Sequence, residues 1–111
     1  MRWHKYHAKK TTIDGITFDS RKEANRYAEL KLLERAGEIK NLRLQVPFTI
    51  QEAFTLHGKK YRPITYIADF VYEQDGRTIV EDTKGMRTQV YKLKKKLFLA
   101  RYGKQVEFRE S

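Results

Sequence analysis

The chain has 111 residues with 24 Lys and Arg against 14 Asp and Glu, a formal charge of +10. With 40% hydrophobic residues it can bury one modest core, so we expect a single domain over residues 1–111. It contains no cysteine, which excludes disulfides, cysteine-ligated zinc and a thiolate nucleophile. No apolar stretch is long enough to span a bilayer and no signal-like segment opens the chain, so we expect a cytoplasmic protein. The positive charge favours an anionic partner, and the alternative is a surface that is basic only for solubility.

The first dozen residues are predicted to form a basic arm. Residues 1–12 mix aromatic and basic side chains without periodicity, and a turn at Asp14-Gly15 follows them. Lys9 and Lys10 are candidate phosphate contacts in this arm. His4 and His7 could ligate a metal, but two histidines on a basic arm are more often incidental.

A helix is predicted over residues 21–36. Ser20 and Glu23 have the spacing of a capping box, and Gly37 is a typical helix stop. The apolar stripe of this helix passes through Ala24, Tyr27, Ala28 and Leu32.

Three strands are predicted next. Apolar and polar residues alternate over residues 42–50, the period of a strand buried on one side, and Pro47 indicates an edge or a bulge. The apolar positions are Leu42, Leu44, Val46, Phe48 and Ile50. A turn near His57-Gly58 precedes a strand over residues 62–72, and another turn at Asp75-Gly76 leads to a strand over residues 78–83.

The last helix is predicted over residues 89–102, with Gly103 as its stop. Its expected core face consists of Val90, Leu93, Leu97 and Ala100. A short strand through Val106 and Phe108 follows. The order of elements predicts an α/β fold with a mixed β-sheet flanked by two helices.

The Asp75-Gly76 turn places Asp69 directly opposite Asp82 on the neighbouring strand. Side chains in that relation have β-carbons roughly 5 Å apart, and like charges there repel. Lys84 shares the face of Asp82 by the strand period of two, whereas Glu81 and Thr83 are expected on the other face. Three charged groups are therefore predicted to converge at a strand end.

This trio predicts a divalent metal site. Ile67, Val71 and Val80 share its phase, and carboxylates on an apolar face are costly unless they are paired or bound to metal. Hard oxygen ligands favour Mg²⁺ or Mn²⁺ between the two aspartates, with Lys84 orienting the attacking water or stabilising negative charge. The alternative is a solvated hairpin with a surface salt bridge, because a D-x-K tripeptide alone is a short pattern.

At these residues the sequence resembles a known family. Tyr-Ile-Ala-Asp-Phe around Asp69, a hairpin, and Glu-Asp-Thr-Lys-Gly over residues 81–85 are similar to the signature of PD-(D/E)XK, or restriction-endonuclease-like, nucleases. With Phe18-Asp19-Ser20 and Glu23-Ala24, nearly the whole chain resembles short phage and prophage endonucleases related to Holliday-junction resolvases. The proline of the signature is absent, because Ala68 precedes Asp69.

The resemblance implies a restriction-endonuclease-like core and a Mg²⁺-dependent endonuclease acting on branched or duplex DNA. It implies that Glu23 is a third acidic group of the site, although a helix cap is a competing role. It also places the last helix beside the scissile phosphate, with Gln89, Lys92, Lys95 and Lys96 as candidate DNA contacts or, alternatively, a solvated surface. A homodimer is implied too, in the cytoplasm of a bacterial host if the chain is phage-encoded.

Other functions remain open at this stage. A non-catalytic basic DNA-binding module predicts salt-sensitive binding with no metal requirement. A regulatory or structural phage protein that binds another protein predicts no affinity for nucleic acid. RNA is also open as the substrate, because the site chemistry does not distinguish the sugars.

Overall fold

The computed structural model describes residues 10–83 and 87–111. In chain order the elements are β1 (Thr11–Ile13), β2 (Ile16–Phe18), α1 (Arg21–Arg35), β3 (Lys40–Gln51), β4 (Phe54–Leu56), β5 (Lys59–Tyr61), β6 (Ile64–Gln74), β7 (Arg77–Asp82), α2 (Gln89–Tyr102) and β8 (Glu107–Glu110). None of the helices that the structure describes is long and apolar enough to cross a membrane.

A four-stranded mixed sheet forms the centre of the fold, in the order β3-β6-β7-β8. The pairs β3-β6 and β6-β7 are antiparallel, and β8 lies parallel to β7 after the α2 crossover. One hydrophobic cluster joins α1 to one face of the sheet, and a second joins α2 to the other. The predicted α/β fold with a mixed sheet flanked by two helices is therefore confirmed, and Pro47 lies in an edge strand as expected.

The hairpin between β6 and β7 has the predicted register. Asp75 and Gly76 have φ values of 52° and 76°, both in the left-handed region required by a tight two-residue turn. Phe70 pairs with Glu81 and Val71 pairs with Val80. Continued by one residue, the same register brings Asp69 opposite Asp82.

Helix α1 begins where the sequence predicts and ends one residue earlier, and its buried stripe differs by one position. The Ser20 hydroxyl accepts a hydrogen bond from the Glu23 amide at 3.1 Å, and the helix ends at Arg35 before Ala36. Ala24, Tyr27 and Leu30 are buried, whereas Leu32 is 62% exposed. The predicted place of Leu32 in the core was wrong, because the period of 3.6 residues puts Leu30 on the side of Tyr27 that meets the sheet.

The apolar stripe of β3 does not remain on one face of the sheet. Leu42 and Leu44 pack against the cluster on the α1 side, whereas Val46, Phe48 and Ile50 belong to the cluster on the α2 side. The change falls at Gln45, whose φ of 51° is left-handed within a strand. Strand β6 changes faces at the same level, since Ala68 lies in the α2 cluster and Phe70 in the α1 cluster. Asp69 lies opposite Gln45 in the β3-β6 register. It is therefore at the boundary between the cluster on the α1 side and the cluster on the α2 side.

The predicted core face of α2 was wrong. Val90, Leu93 and Ala100 are exposed, and so is Leu97. The residues that α2 buries are Tyr91 and Phe98. Aromatic contacts explain why this face of α2 is the buried one. The Phe98 ring packs against Phe48, Tyr66, Tyr102 and Phe108 at centroid distances of 5.0 to 5.9 Å.

Two small hairpins complete the fold. In the first, β1 and β2 turn at Asp14-Gly15 as predicted, but Thr11 and Thr12 belong to β1 and not to a basic arm. The rest of the predicted arm, apart from Lys10, lies outside the described residues. In the second, β4 and β5 turn at His57-Gly58. Ile67, expected on the buried face of β6, is 52% exposed, because its neighbours Tyr66 and Ala68 belong to the α2 cluster and strand alternation leaves Ile67 on the other face.

Candidate functional site

The carboxylate of Asp69 accepts hydrogen bonds from two other segments of the chain, the end of β7 and strand β3. Its Oδ2 accepts hydrogen bonds from the backbone amide of Thr83 at 2.9 Å and from the Thr83 hydroxyl at 3.1 Å. Its Oδ1 accepts from Gln45 Nε2 at 3.3 Å. The side chain is nearly buried, with 7% of its surface exposed. These contacts fix Asp69 at the end of the β6-β7 hairpin.

Asp82 is in direct contact with Asp69. Its Oδ1 accepts a hydrogen bond from the Asp69 backbone amide at 3.2 Å, and its Oδ2 accepts one from the Tyr66 hydroxyl. Burial, together with the neighbouring Asp82 carboxylate, raises the pKa of Tyr66 far above its ordinary value, so the hydroxyl remains a donor at any physiological pH. Asp82 is fully buried, and these bonds offset part of the cost of burying its charge.

Glu23 joins this pair from α1. Its carboxylate Oε2 accepts a hydrogen bond from Gln45 Nε2 at 3.1 Å. The amide of Gln45 therefore bridges Glu23 and Asp69. Glu23 and Gln45 also line a groove of about 510 Å³ between α1, the β1-β2 hairpin and β3, together with Phe18 and Asp19. Solvent and small ions in this groove can reach Glu23.

The donor set fits a hard divalent cation in part. Oxygen atoms of Glu23 and Asp69 lie within 3.3 Å of one positively polarised nitrogen, that of Gln45, so two carboxylates converge on a single point. Mg²⁺ is usually held by one or two carboxylates together with water and substrate phosphates. Within residues 10–83 and 87–111, no three His, Cys, Asp or Glu residues surround a common position that could hold a metal ion. The pair Glu23 and Asp69 is therefore the best-placed ligand set, with Asp82 bonded to the backbone of Asp69.

The structure brings together three of the four predicted catalytic residues. Glu23, Asp69 and Asp82 belong to one hydrogen-bonded cluster, while Lys84 lies outside the described residues. The prediction that Thr83 lies on the other face was wrong, because β7 ends at Asp82 and the backbone then turns the Thr83 hydroxyl towards Asp69.

Sequence reasoning missed Gln45 and Tyr66. Gln45 occupies a polar position in an alternating strand, and its left-handed φ leaves no mark in the amino-acid pattern. Tyr66 reads from sequence as an ordinary core aromatic residue. Only the β3-β6 register, which the structure provides, links Gln45 to Asp69.

Glu81 lies on the opposite face of β7, as predicted, and has a structural partner there. Arg26 of α1 donates to its two carboxylate oxygens at 2.6 and 3.1 Å, and Tyr72 donates at 2.5 Å. Burial by itself would raise the pKa of Glu81, but the hydrogen bonds from Arg26, Tyr72 and Ser111 outweigh it and hold the pKa below its usual range. This bidentate pair ties α1 to the strand that carries Asp82.

A basic surface lies along the first three turns of α2. Lys92, Lys95 and Lys96 share one face of the helix, as their spacing predicts, and line a depression of about 320 Å³ with Arg87 and Tyr91. Lys95 donates to Glu110 at 2.9 Å, whereas Lys92 and Lys96 are exposed. The other candidate DNA contacts, Gln89 and Lys10, are exposed as well, and Lys9 lies outside the described residues.

The fold and this cluster define an α/β protein with a hydrogen-bonded acidic site at the end of a β-hairpin and a basic surface on its last helix. A family model described as "Protein of unknown function (DUF1064)" matches residues 3–109, so the chain belongs to the DUF1064 family. No curated protein and no solved structure matches the chain.

Proposed function

We propose that this protein is a metal-dependent DNA endonuclease that hydrolyses phosphodiester bonds. The observation that carries the proposal is the contact between Asp69 and Asp82 at the end of the β6-β7 hairpin, joined to Glu23 through Gln45. Two buried acids on neighbouring strands, with the carboxylate of Asp82 bonded to the backbone amide of Asp69, are a costly feature in a core of this size. A role in binding a cation and a phosphate accounts for two acids at this position. The same role agrees with the resemblance of these residues to PD-(D/E)XK nucleases.

In this proposal each side chain has a distinct role. Glu23 and Asp69 hold the cation, Mg²⁺ or Mn²⁺, and Gln45 keeps their two carboxylates facing one point. When bound, a divalent cation supplies Lewis-acid stabilisation of phosphate charge and activation of water. Asp82 fixes the backbone of Asp69 and, as the resemblance implies, is an additional ligand. Lys84 is assigned to the nucleophile or to the developing negative charge.

The substrate in this proposal is DNA, either a branched junction or a duplex. Lys92 and Lys96 on α2 are exposed on the face that lines the basic depression, where they can contact phosphates. Gln89 and Lys10, both exposed, are further candidate contacts. RNA would satisfy the same charges, so a comparison of DNA with RNA of equal sequence belongs in the first assay.

A homodimer belongs to the proposal because two coordinated cuts are needed to resolve a four-way junction. Sedimentation with and without junction DNA measures this directly. A protein that remains monomeric on a junction that it cleaves would contradict this part of the proposal alone.

The experiment that tests the proposal compares two Asp→Asn variants of the same hairpin. Asp82→Asn keeps the shape of the buried side chain but removes its ionisable carboxyl group, and Asp75→Asn makes the same change at the exposed turn, where asparagine also accepts a positive φ. Supercoiled plasmid and a four-way junction are incubated with each variant in Mg²⁺ or in EDTA. We expect wild type and Asp75→Asn to cut only with Mg²⁺, and Asp82→Asn to lose at least 100-fold in rate, on the order of the loss of a group that acts on transition-state charge.

Binding must be measured beside cleavage, because a misfolded variant would also fail to cut. Circular dichroism and DNA binding in EDTA are expected to be alike for the two variants. Cleavage that survives in EDTA or in folded Asp82→Asn would overturn the proposal. Tight, salt-sensitive binding without any cleavage would favour the non-catalytic DNA-binding module instead.

Metal binding gives a readout independent of activity. Calorimetric titration of wild-type protein with Mn²⁺ is expected to show binding that weakens at least tenfold in Glu23→Gln and in Asp69→Asn. The matched control is Glu29→Gln, an exposed acid on the same helix that pairs with Arg26. Equal affinity in all four proteins would place the metal, if any, elsewhere.

A further inference from the structure

The β4-β5 hairpin projects from the molecule without burying any of its residues. Every residue from 51 to 64 is exposed, although both strands are paired from Phe54-Tyr61 to Leu56-Lys59. The hairpin extends the antiparallel ribbon of β3 and β6 beyond the point where Gln51 pairs with Ile64. An isolated two-stranded hairpin is only marginally stable in water, so its sequence is not explained by a contribution to the core.

The two faces of this ribbon differ in chemistry. Phe54 and Tyr61 stack at a centroid distance of 4.7 Å, with an interplanar angle of 11°, and Lys59 lies 5.2 Å above the Tyr61 ring. The strand period puts Thr55 and Lys60 on the opposite face. Arg62 follows β5 directly and is exposed. The aromatic stack thus stiffens a ribbon that presents Lys59, Lys60 and Arg62 to solvent.

We propose that the β4-β5 hairpin is a second DNA-contact surface, with Lys60 and Arg62 binding the phosphate backbone of duplex DNA beyond the acidic site. This inference rests on DNA as the partner in the proposed function. A two-stranded ribbon fits the B-DNA major groove, which is about 12 Å wide. A second copy of this chain is a poorer occupant, because each copy carries a net charge of +10 and the hairpin is itself basic.

The hairpin is distinct from the α2 surface and lies well away from the acidic site. Lys60 is separated from Asp69 by nine residues of largely extended chain, a span of up to roughly 30 Å. That distance corresponds to about nine base pairs of B-DNA at 3.4 Å each. DNA long enough to span both positions would therefore be held at two places.

The test is the binding of a duplex of roughly 30 base pairs, measured by fluorescence anisotropy in EDTA so that no cleavage can occur. Lys60→Ala/Arg62→Ala is compared with Arg35→Ala/Lys40→Ala, which removes the same charge from exposed positions at the far end of α1 and the start of β3. We expect the hairpin variant to bind about tenfold more weakly at low salt and to lower the slope of log K against log salt by about two. The control is expected to change affinity less than threefold, and Lys60→Arg is expected to bind as wild type does.

The outcomes separate this inference from the proposed function. Equal losses in the hairpin variant and its control would mean that net charge alone matters, and the inference would be overturned. A change in the sedimentation of DNA-free hairpin variant would make the hairpin a self-association surface and would also overturn it. If the protein never cuts DNA but binds it through Lys60 and Arg62, the proposed nuclease function is refuted. The proposal that the β4-β5 hairpin contacts DNA is then still supported.

Discussion

At the scale of single residues, Gln45 has the largest consequences for the site. A non-glycine residue with φ of 51° inside a strand carries a backbone cost of about 1 kcal/mol or more. The same conformation lets β3 change faces, and it allows one amide nitrogen to reach Glu23 and Asp69 together. The strain is stored where two acidic side chains from different elements must be held at one point.

Replacing Gln45 by leucine tests this role. Gln45→Leu keeps a side chain of similar volume but removes the two hydrogen bonds, so the carboxylates of Glu23 and Asp69 lose their common donor. We expect Mg²⁺-dependent cleavage to fall 10- to 100-fold and Mn²⁺ affinity to fall with it. Gln51→Leu, which removes an exposed glutamine from the end of the same strand, is the control and is expected to cleave normally. If Gln45→Leu has wild-type activity and wild-type Mn²⁺ affinity, Gln45 has no role in positioning the two carboxylates.

Glu110 is the residue whose titration most clearly affects stability. Burial works against its charge, but donors outweigh it: Tyr91 at 2.5 Å, Lys95 at 2.9 Å and Arg87 at 3.4 Å lower the pKa of Glu110 from 4.5 to about 2. A lowered pKa in the folded state stabilises the fold at every pH above the ordinary value. That stability is lost as the pH falls from about 4.5 towards about 2.

The variant Glu110→Gln should therefore be less stable at neutral pH. We expect a loss on the order of 1 kcal/mol, after allowance for screening of this partly exposed group by solvent. The difference from wild type should shrink when urea unfolding is repeated between pH 4.5 and pH 2. A difference that is independent of pH would mean that Glu110 acts through packing and not through its charge. Glu52→Gln, which removes an exposed partner of Arg101, is the control.

At the scale of elements, turn and cap signals were sufficient to predict the two helices and the four strands of the central sheet, but not the strands of the β1-β2 and β4-β5 hairpins. The Ser20 cap, the Asp75-Gly76 turn and the bounds of α2 follow from local chemistry, and the structure agrees with each. Asp69 and Asp82 were placed together by counting residues from that turn. These features depend on neighbours in sequence, which is why the sequence predicts them.

Contacts between distant elements were predicted less well. The helix period gave Val90, Leu93 and Leu97 as the core face of α2, because aliphatic residues were counted and aromatic ones were not. The fold instead uses Tyr91 and Phe98, whose rings fill the space above β3, β6 and β8. The face change at Gln45 was not predicted because a left-handed residue within a strand has no local sequence signal.

This difference between the two faces of α2 can be measured as stability. Phe98→Ala removes a fully buried ring that contacts four other aromatic residues, and we expect it to cost about 3–5 kcal/mol in the free energy of unfolding. Leu93→Ala removes a side chain that is 59% exposed and should change stability by less than about 0.5 kcal/mol. Urea unfolding of both variants measures the contrast. Similar losses in the two variants would place the core of α2 on the other face.

At the scale of the whole molecule, buried acidic side chains and exposed basic side chains occupy different regions. The chain carries +10 overall, yet four acids are buried close together, Glu23 on α1, Asp69 in the middle of β6, and Glu81 and Asp82 at the end of β7. Basic side chains are exposed along α2 and on the β4-β5 hairpin. In the proposed function, this separation draws the polyanion to the basic surface, while the acidic cluster limits how closely a phosphate can approach without a cation.

The salt dependence of DNA binding tests how that surface is used. Lys92 and Lys96 are exposed, so each phosphate that they neutralise releases counterions, whereas the ammonium of Lys95 is already bound to Glu110. Lys92→Ala/Lys96→Ala is expected to lower the slope of log K against log salt by about two, and Lys95→Ala by less than one, in titrations without metal ion. Identical slopes for wild type and the double variant would mean that DNA contacts another surface. A larger effect for Lys95→Ala would mean that Lys95 leaves Glu110 when DNA binds, and Glu110 would then lose one of the donors that lower its pKa.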